Sequence, residues 1–360
     1  MGALTSPLLL DCEDVLWIRQ DPSLPTSARR AAAALAGRVG MAAARVSEVE
    51  LAVTEAATNL NRHAADGALL FRILRTEHVA ALELLVVDSG PGMADVAASL
   101  VDGVSTAGTL GIGLGVLDRM ADTFDVHSLP GRGTVLVARF WAPRPGADGK
   151  PPPGEPAVAG VTRPISGETV CGDVWTARLD EADPAAPHGP HAADPAILLM
   201  LCDGLGHGPL AAAASAKARA AFHRSRAGQP QEILREMHAA LAGSRGGAAA
   251  VARIEPATKT ILYCGVGNIS GFVVTPEARS ALLSAPGIVG HLLPRLRVFE
   301  QPLPEGSALI MHSDGLTERW SPKTLPGLLR HGPAVIAGQL LREAGVRRDD
   351  ASVVVAKGCW

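Results

Sequence analysis

Residues 197–208 read Ile-Leu-Leu-Met-Leu-Cys-Asp-Gly-Leu-Gly-His-Gly, an apolar run that ends at Asp203-Gly204 and then gives way to glycines. This pattern predicts a buried strand that delivers one carboxylate to an irregular loop. A hard divalent cation takes oxygen ligands, and the glycine would allow a backbone carbonyl to approach as a further ligand. An Asp-Gly turn without a metal is the simpler alternative, because both residues favour turns for local reasons.

The same arrangement occurs again further along the chain. A second apolar run ends at Asp314, and Asp349 and Asp350 directly precede a third run at 351–355. Upstream, Asp173 ends the segment Gly-Glu-Thr-Val-Cys-Gly-Asp. Carboxylates at four strand ends suit a cluster of two metal ions and argue against an isolated turn.

These motifs resemble those of the metal-dependent PPM-type serine/threonine phosphatases, and in particular the SpoIIE and RsbX branch. The Asp-Gly-x-Gly-His-Gly signature of that branch corresponds to residues 203–208. The resemblance covers about residues 158–360 and implies a β-sandwich flanked by helices, with two Mn²⁺ or Mg²⁺ ions. Asp203 would bridge the two ions, and the Gly204 carbonyl would be an additional ligand.

The resemblance also implies roles for the other residues of these motifs. Asp314 and Asp349 would complete the second metal site, and Asp173 would lie in or next to the ligand set. Asp350 aligns less well with the family's ligand than Asp349 does. His207 would either protonate the leaving alkoxide or have a local structural role.

Composition and charge limit the class of protein. A length of 360 residues suggests about two domains. The composition, 47% hydrophobic and 19% charged, is that of a soluble globular protein, and a formal net charge of −3 gives no reason to expect nucleic acid or an anionic membrane as partner. No apolar run approaches the roughly 20 residues of a membrane span, and acidic residues stand where a signal peptide carries basic ones. We therefore expect a cytoplasmic protein.

A stretch rich in proline and glycine predicts a linker at residues 144–157, because neither a helix nor a central strand tolerates this composition. It separates a first domain, residues 1–143, from a second domain, residues 158–360. Both domains are expected to belong to the α/β class. The first is expected to be an α/β sandwich with one mixed sheet.

Residues 46–63 predict the central helix of the first domain. Apolar side chains recur there at spacings of three and four, as in the buried stripe of an amphipathic helix. The stripe consists of Val46, Val49, Val53, Ala56 and Leu60. Glu55, Asn59 and His63 then fall on a common flank, one turn apart. Taken alone, these three polar residues are typical of a solvated helix face.

Three glycine-rich segments follow this helix. The apolar run 81–87 ends in Asp-Ser-Gly-Pro-Gly, residues 108–115 read Gly-Thr-Leu-Gly-Ile-Gly-Leu-Gly, and residues 131–134 read Gly-Arg-Gly-Thr. Glycines let backbone N–H groups face phosphates, and a helix N-terminus beyond them favours negative charge. For the last segment a hairpin turn is the alternative.

In this order the helix and the three segments resemble the N, G1, G2 and G3 boxes of the GHKL ATP-binding fold, over about residues 8–142. A histidine kinase is disfavoured because residues 1–45 contain no His. Residues 102–126 resemble instead the RsbT-type switch kinases, relatives of the anti-sigma-factor serine kinases. The resemblance implies ATP with Mg²⁺ as cofactor and a STAS-domain protein as substrate, the class that includes anti-anti-sigma factors and stressosome scaffold subunits.

By this resemblance, Glu55 would be the general base that takes the proton from a substrate hydroxyl. Asn59 would be the magnesium ligand, and Asp88 would accept a hydrogen bond from the adenine amino group. Glycines would let the nucleotide approach the backbone under a short lid at residues 105–109. The residues assigned to nucleotide binding are Asn59, Asp88, Gly90, Gly92, Gly111, Gly113, Gly115 and Thr134.

Together the motifs predict one chain that both adds and removes phosphate on serine or threonine in a bacterial partner-switching pathway. Two other interpretations stay open. In one, the GHKL domain is a nucleotide-gated module that captures a STAS protein or a downstream signalling enzyme without phosphorylating it. In the other, both domains are degenerate and the chain is a scaffold.

Overall fold

The structure, a computed structural model, describes residues 9, 11–76, 78–100, 113–142, 154–180 and 195–360. The chain divides into two units, Leu10–Glu155 and a unit that contains Pro156–Trp360. None of the described helices is both long enough and apolar enough to span a membrane.

The first unit is a five-stranded sheet with helices packed on one face. Its strands are β1 (Asp11–Arg19), β2 (Ala68–Arg75), β3 (Ala80–Val87), β4 (Thr123–Ser128) and β5 (Thr134–Ala142), in the order β1-β2-β3-β5-β4. Its helices are α1 (Leu24–Arg38), α2 (Ala43–His63), α3 (Val96–Leu100) and α4 (Gly113–Met120).

The expectation of a mixed sheet in this unit is wrong, because all four described strand pairings are antiparallel. The reason lies in the connections. Between β1 and β2 the chain runs through two successive helices, α1 and α2, which pack against each other. Two helical passes return the chain to the end at which β1 finished, so β2 runs in the opposite direction.

Helix α2 carries the apolar stripe that the sequence predicts. Val49, Val53 and Leu60 are buried in one core cluster with Phe71 of β2 and Leu84 of β3. Burial of each large aliphatic side chain contributes about 1.5 to 3 kcal/mol to folding. This packing fixes the rotation of α2, and the flank that bears the polar residues stays partly accessible.

The opposite face of the same sheet holds a buried charge network centred on Glu83. In the strand register Glu83 lies opposite Arg72 of β2 and Arg139 of β5. Its Oε1 accepts a 2.7 Å hydrogen bond from Arg72 Nη1, and its Oε2 accepts bonds of 3.0 and 2.7 Å from Arg139 Nε and Nη2. Burial alone would raise the pKa of Glu83, but the two guanidinium groups outweigh burial and hold that pKa below its usual range.

The second unit contains two sheets and three α-helices. The first sheet consists of β7 (Asp173–Leu179), β8 (Ile197–Gly204), β9 (Gly247–Glu255), β10 (Thr260–Val266), β13 (Ser284–Ala285) and β14 (Phe299–Pro302). The second consists of β6 (Val158–Arg163), β11 (Ser270–Val274), β12 (Arg279–Leu282), β15 (Ala308–His312) and β16 (Ala351–Lys357). The helices are α5 (Pro209–Arg224), α6 (Pro230–Leu241) and α7 (Pro333–Ala344), and two short 3₁₀ helices span Pro322–Thr324 and Leu328–Arg330.

Strand β8 is buried on both faces, which explains its uninterrupted apolar sequence. Leu199 and Leu201 belong to the core between the two sheets, together with Met311 of β15. Leu198 and Met200 face the other way and pack in a cluster with α5 and α6. Helix α7 packs on β6 and β16 of the second sheet. The predicted fold class, a β-sandwich flanked by helices after an α/β sandwich, is confirmed.

We predict that Glu83→Gln lowers the free energy of unfolding of the first unit by about 3 to 5 kcal/mol, because two buried guanidinium groups lose their shared carboxylate. The contribution of Glu83 is present above the pKa of an unfolded glutamate and is lost as pH falls through the lower folded-state value. Urea denaturation at neutral pH measures the change.

The control for this prediction is Glu13→Gln on the edge strand β1 of the same sheet. Glu13 is half exposed and pairs with Arg38 and Arg75, so its loss should cost less than about 1 kcal/mol. Equal destabilisation by the two substitutions would show that burial of the network does not matter.

Candidate functional site

The structure places Asp173 and Asp203 face to face. Asp173 begins β7, Asp203 lies near the end of β8, and the two residues are direct partners in the antiparallel register. Ser313 Oγ donates a 2.7 Å hydrogen bond to Asp173 Oδ2 and accepts one from the Ser352 backbone N–H at 3.0 Å. Asp173 Oδ1 is buried and has no hydrogen-bond partner among the described residues.

Two carboxyl groups at this position cannot both ionise cheaply. Burial raises the pKa of Asp203 to about 9, and the charges of Asp173 and Asp314 add to the rise. Burial also raises the pKa of Asp173 to about 7, against the hydrogen bond from Ser313. The metal-free site therefore retains protons at neutral pH, which is the state that a bound cation would replace.

Asp314 and Asp349 lie at the ends of two other strands of the sandwich. Asp314 follows β15 and is exposed, and its Oδ2 accepts a 2.6 Å hydrogen bond from Asn268 Nδ2. Asp349 precedes β16, and burial followed by the charge of Asp314 raises its pKa. Both carboxylates also contribute to the raised pKa of Asp203, so the three groups share one electrostatic environment.

Asp350 has a structural role that differs from that of Asp349. Its side chain is buried, and its two oxygens accept hydrogen bonds from the backbone N–H groups of Ile165 at 2.7 Å and Gly172 at 2.8 Å. Asp350 thus fastens the segment that leads into β7.

A Cβ at Gly315 would lie 1.9 Å from the Asp350 carbonyl oxygen, so the glycine after Asp314 is required by close packing of two backbones.

Gly204 is required for a similar reason. A Cβ on Gly204 would lie 2.4 Å from the carbonyl oxygen of Ala211, in the first turns of α5. Its N–H donates to the Gly172 carbonyl at 3.2 Å, and Ser215 Oγ donates to the same carbonyl. The Asp-Gly dipeptide at the end of β8 therefore packs directly against α5.

His207 lies on the loop that links β8 to α5. Its side chain is exposed, and its Nδ1 lies 3.3 Å from Glu168 Oε1. The flanking Gly206 and Gly208 have φ values of +85° and +74°, which glycine adopts without strain. Sequence reasoning did not identify Glu168, because nothing local relates a loop before β7 to the end of β8.

Asp173 and Asp203 offer oxygen donors to a cation, but the described side chains do not form a coordination shell. Among the described residues, no three His, Cys, Asp or Glu side chains converge closely enough to hold an ion. Two features favour a cation at the facing pair: the unpartnered Oδ1 of Asp173, and the pKa of Asp203, which burial and then the charges of Asp173 and Asp314 raise. Oxygen donors of this kind suit Mg²⁺ or Mn²⁺.

In the first unit, the residues predicted to bind nucleotide lie on α2 and on the loop after β3. Glu55 and Asn59 are partly accessible on α2, and His63 at its end is exposed. Asp88 is buried, and its Oδ1 accepts a 2.7 Å hydrogen bond from the Gly90 backbone N–H. A Cβ on Gly90 would lie 2.9 Å from the His63 carbonyl oxygen, so the loop packs directly against the end of α2.

Gly92 and Thr134 lie where this loop meets the turn before β5. Gly92 has a φ of +64°, and a Cβ there would lie 2.1 Å from the Leu129 carbonyl oxygen. The Asp88 N–H donates to the Thr134 carbonyl at 3.0 Å. Ser128 Oγ, which the sequence did not single out, lies 2.9 Å from Thr134 Oγ1.

The structure describes two of the three glycines that were assigned to phosphate binding. Gly113 and Gly115 lie in the first turn of α4, where backbone N–H groups point beyond the helix. Gly111 and the predicted lid at 105–109 lie outside the described residues. The structure thus places the loop of Asp88 and Gly90 against the C-terminal end of α2, one turn beyond Asn59.

Comparison with known proteins identifies both halves of the chain. Residues 18–140 match the histidine kinase-like ATPase domain family HATPase_c_2, and residues 193–357 match the stage II sporulation protein E family, SpoIIE. Over 115 residues the chain is 30% identical to the serine/threonine-protein kinase RsbT of Bacillus subtilis (strain 168), an alignment that covers 32% of this chain and 86% of RsbT. The chain is a fusion of an RsbT-like ATPase domain with a SpoIIE-type phosphatase domain.

The SpoIIE-type domain is also similar to the phosphoserine phosphatase RsbX of Bacillus subtilis (strain 168). The two are 23% identical over 194 residues, which cover 53% of this chain and 89% of RsbX. A crystal structure of RsbX in complex with magnesium covers 55% of this chain and 92% of its own, with 21% sequence identity and a TM-score of 0.45. The predicted family membership of both domains is confirmed.

We predict that the metal-free SpoIIE-type domain loses stability as pH rises. Carboxyl groups with raised pKa values stabilise the fold fully below the unfolded-state pKa of about 3.9, and this contribution is lost as pH rises through the folded values. For Asp173 and Asp203 these values are about 7 and about 9. The melting temperature of chelator-treated protein should therefore fall as pH rises from the unfolded-state pKa to the folded-state values. Saturating Mn²⁺ should reverse the fall.

Asp203→Asn should flatten this pH dependence, because it removes the group whose pKa is raised more. Glu277→Gln, which changes an exposed residue elsewhere in the same domain, should leave the dependence unchanged. If the melting temperature of the metal-free wild type rises from pH 5 to pH 9, Asp173 and Asp203 do not have raised pKa values in the folded protein.

Proposed function

We propose that the chain is a bifunctional regulator of serine/threonine phosphorylation. The RsbT-like domain transfers phosphate from ATP to a serine or threonine hydroxyl, and the SpoIIE-type domain removes it with the help of Mn²⁺ or Mg²⁺. The observation that carries the proposal is the facing pair Asp173 and Asp203 at the end of a buried strand. It occurs in a chain that spans 86% of a serine/threonine-protein kinase and 89% of a phosphoserine phosphatase.

In the phosphatase domain, two metal ions would be held by Asp203, the Gly204 carbonyl, Asp314 and Asp349, with Asp173 in or next to the ligand set. Such ions lower the pKa of a bound water and neutralise charge on the phosphoryl group. The protein positions the ligands. Ser313 holds Asp173 by a 2.7 Å hydrogen bond, and the close packing of both Asp-Gly strand ends fixes the carboxylates that precede them.

His207 is proposed as the acid that protonates the leaving serine or threonine oxygen. Glu168 lies 3.3 Å from its Nδ1, so the carboxylate orients the ring and leaves Nε2 directed away from this contact. Exposure of His207 suits this role, because the substrate is a protein that must approach from solvent. A local structural role for His207 is the alternative.

In the RsbT-like domain, Asn59 would hold the magnesium ion of ATP and Asp88 would accept a hydrogen bond from the adenine amino group. Gly90 and Gly92 would allow the base to approach, and Gly111, Gly113, Gly115 and Thr134 are the proposed phosphate-side residues. Glu55 lies one turn before Asn59 on α2 and would take the proton from the substrate hydroxyl. Phosphoryl transfer mainly requires such positioning and charge neutralisation.

We infer a STAS-domain protein as the substrate of both domains and the cytoplasm as the location. Residues 144–157 are the proposed linker between domain 1–143 and domain 158–360. A linker of this length and composition keeps the second active site within a few tens of ångströms of the first. A phosphorylated product would then meet the phosphatase at high effective concentration.

The test of this proposal compares wild type, Glu55→Ala and Asp203→Ala with ATP, Mg²⁺, Mn²⁺ and a STAS-domain protein. Phosphorylated substrate should accumulate most with Asp203→Ala, because the first domain continues to phosphorylate the substrate and the second domain no longer dephosphorylates it. It should not form with Glu55→Ala, because the hydroxyl loses its general base. Phosphoprotein is measured by mass spectrometry over time.

Two outcomes would contradict the proposal in different ways. If Asp203→Ala accumulates no more phosphoprotein than wild type, the two domains do not act on one substrate. If none of the three proteins forms phosphoserine or phosphothreonine although each binds ATP, the first domain is a nucleotide-gated binding module.

A further inference from the structure

Arg245 lies beside the loop that follows Asp203. It belongs to the turn between α6 and β9, far from that loop in sequence. Its Nη1 is nevertheless only 3.0 Å from the point at which a Cβ on Gly206 would sit. Gly206 stands between Asp203 and His207, so the guanidinium group lies against the loop that carries two of the proposed active-site side chains.

The backbone of Arg245 is held in place from both sides. The Leu205 N–H donates to the Gly246 carbonyl at 3.0 Å, which joins the turn to the Asp203 loop. The Nε2 of His291 lies 3.0 Å from the carbonyl oxygens of both Ser244 and Arg245. These contacts hold the backbone from which the Arg245 side chain extends, so the start of the side chain has a defined position beside the Asp203 loop.

The charge of Arg245 is not engaged within the described part of the chain. Its side chain is exposed and makes no hydrogen bond or ion pair with a described residue. Arg253, on the strand that follows the same turn, instead pairs with Asp180 and Glu255. A solvated surface arginine would be the ordinary explanation, but it does not account for the contact with the glycine of the Asp203 loop.

A phosphate monoester provides the missing partner. It carries about −1.5 to −2 charge at neutral pH and offers three acceptor oxygens, and a planar guanidinium can bind two of them at once. The carboxylates at the ends of β7, β8 and β15 would repel such an anion. A fixed cation on the rim compensates for part of this repulsion.

We propose that Arg245 binds the phosphoryl group of the substrate and holds it over the end of β8. This inference rests on the proposed phosphatase function of the same site. It adds a protein-supplied positive charge to a centre whose other charged side chains at the strand ends are acidic. Gly206 has a φ of +85°, which favours glycine, and a side chain there would meet the guanidinium group.

The experiment uses the full-length, Mn²⁺-loaded protein with Arg245→Gln, Arg245→Lys and a control, Arg226→Gln. Arg226 is exposed just beyond the other end of α5, about 24 Å along the helix axis from the Asp203 loop. Calorimetry measures the dissociation constant of inorganic phosphate, and steady-state kinetics with p-nitrophenyl phosphate measure KM and kcat separately.

Arg245→Gln should weaken phosphate binding and raise KM by about ten- to a hundredfold, as expected for the loss of a charge-assisted contact. Arg245→Lys should recover part of the loss, because a lysine keeps the charge without the bidentate geometry. Arg226→Gln should behave as wild type. Unchanged affinity of Arg245→Gln for phosphate would overturn the inference, even if a phosphopeptide bound more weakly.

Failure of the proposed function would give a different result. If wild-type protein binds phosphate with Mn²⁺ but hydrolyses no phosphoester, the phosphatase assignment fails while the phosphate dissociation constants still test Arg245. If Arg245→Gln lowers kcat alone and leaves phosphate binding and KM unchanged, Arg245 does not bind the phosphoryl group.

Discussion

Burial of the facing carboxyl groups of Asp173 and Asp203, together with the charge of Asp173 acting on Asp203, is the constraint on which the second unit depends. Two carboxyl groups that face each other across adjacent strands, one of them almost fully buried, cannot both be charged without a compensating cation or proton. Folding alone does not remove the free-energy cost of holding two charged carboxylates side by side. The unit is therefore organised so that rigid strands hold the two groups together until something positive replaces the protons.

Several contacts resist the separation of these groups. Ser313 ties Asp173 to the second sheet, and Asp350 holds the backbone just before β7 by two hydrogen bonds. Gly204 and Gly315 allow backbones to approach more closely than any other residue could tolerate. Each Asp-Gly strand end thus combines a carboxylate with a packing requirement, and both depend on the same backbone path.

Much of this architecture could be predicted from the sequence, because it follows from local patterns. The uninterrupted apolar run of β8 identifies a strand buried on both faces, and the spacing of Val49, Val53 and Leu60 identifies the buried face of α2. The Asp-Gly strand ends and the glycine-rich loops were sufficient to indicate the family of each unit. These features lie within a few residues of one another, so their physical consequences are local.

What could not be predicted depends on contacts between distant segments. Glu168 reaches His207 and Arg245 reaches Gly206 only because neighbouring strands bring separate turns together. The pairing of Glu83 with Arg72 and Arg139 depends on strand register, which places residues from three separate strands side by side. The antiparallel first sheet likewise follows from two consecutive helical passes, whose effect on strand direction is not visible in any single motif.

We infer that cations displace protons from the facing carboxyl groups of Asp173 and Asp203. Calorimetric titration of the metal-free protein with Mn²⁺ at neutral pH, without ATP and in buffers of different ionisation enthalpy, tests this claim most directly. We expect two ions to bind per chain with net release of protons, because Asp173 and Asp203 have raised pKa values in the metal-free fold. Absence of Mn²⁺ binding, or binding without any proton release, would contradict the account.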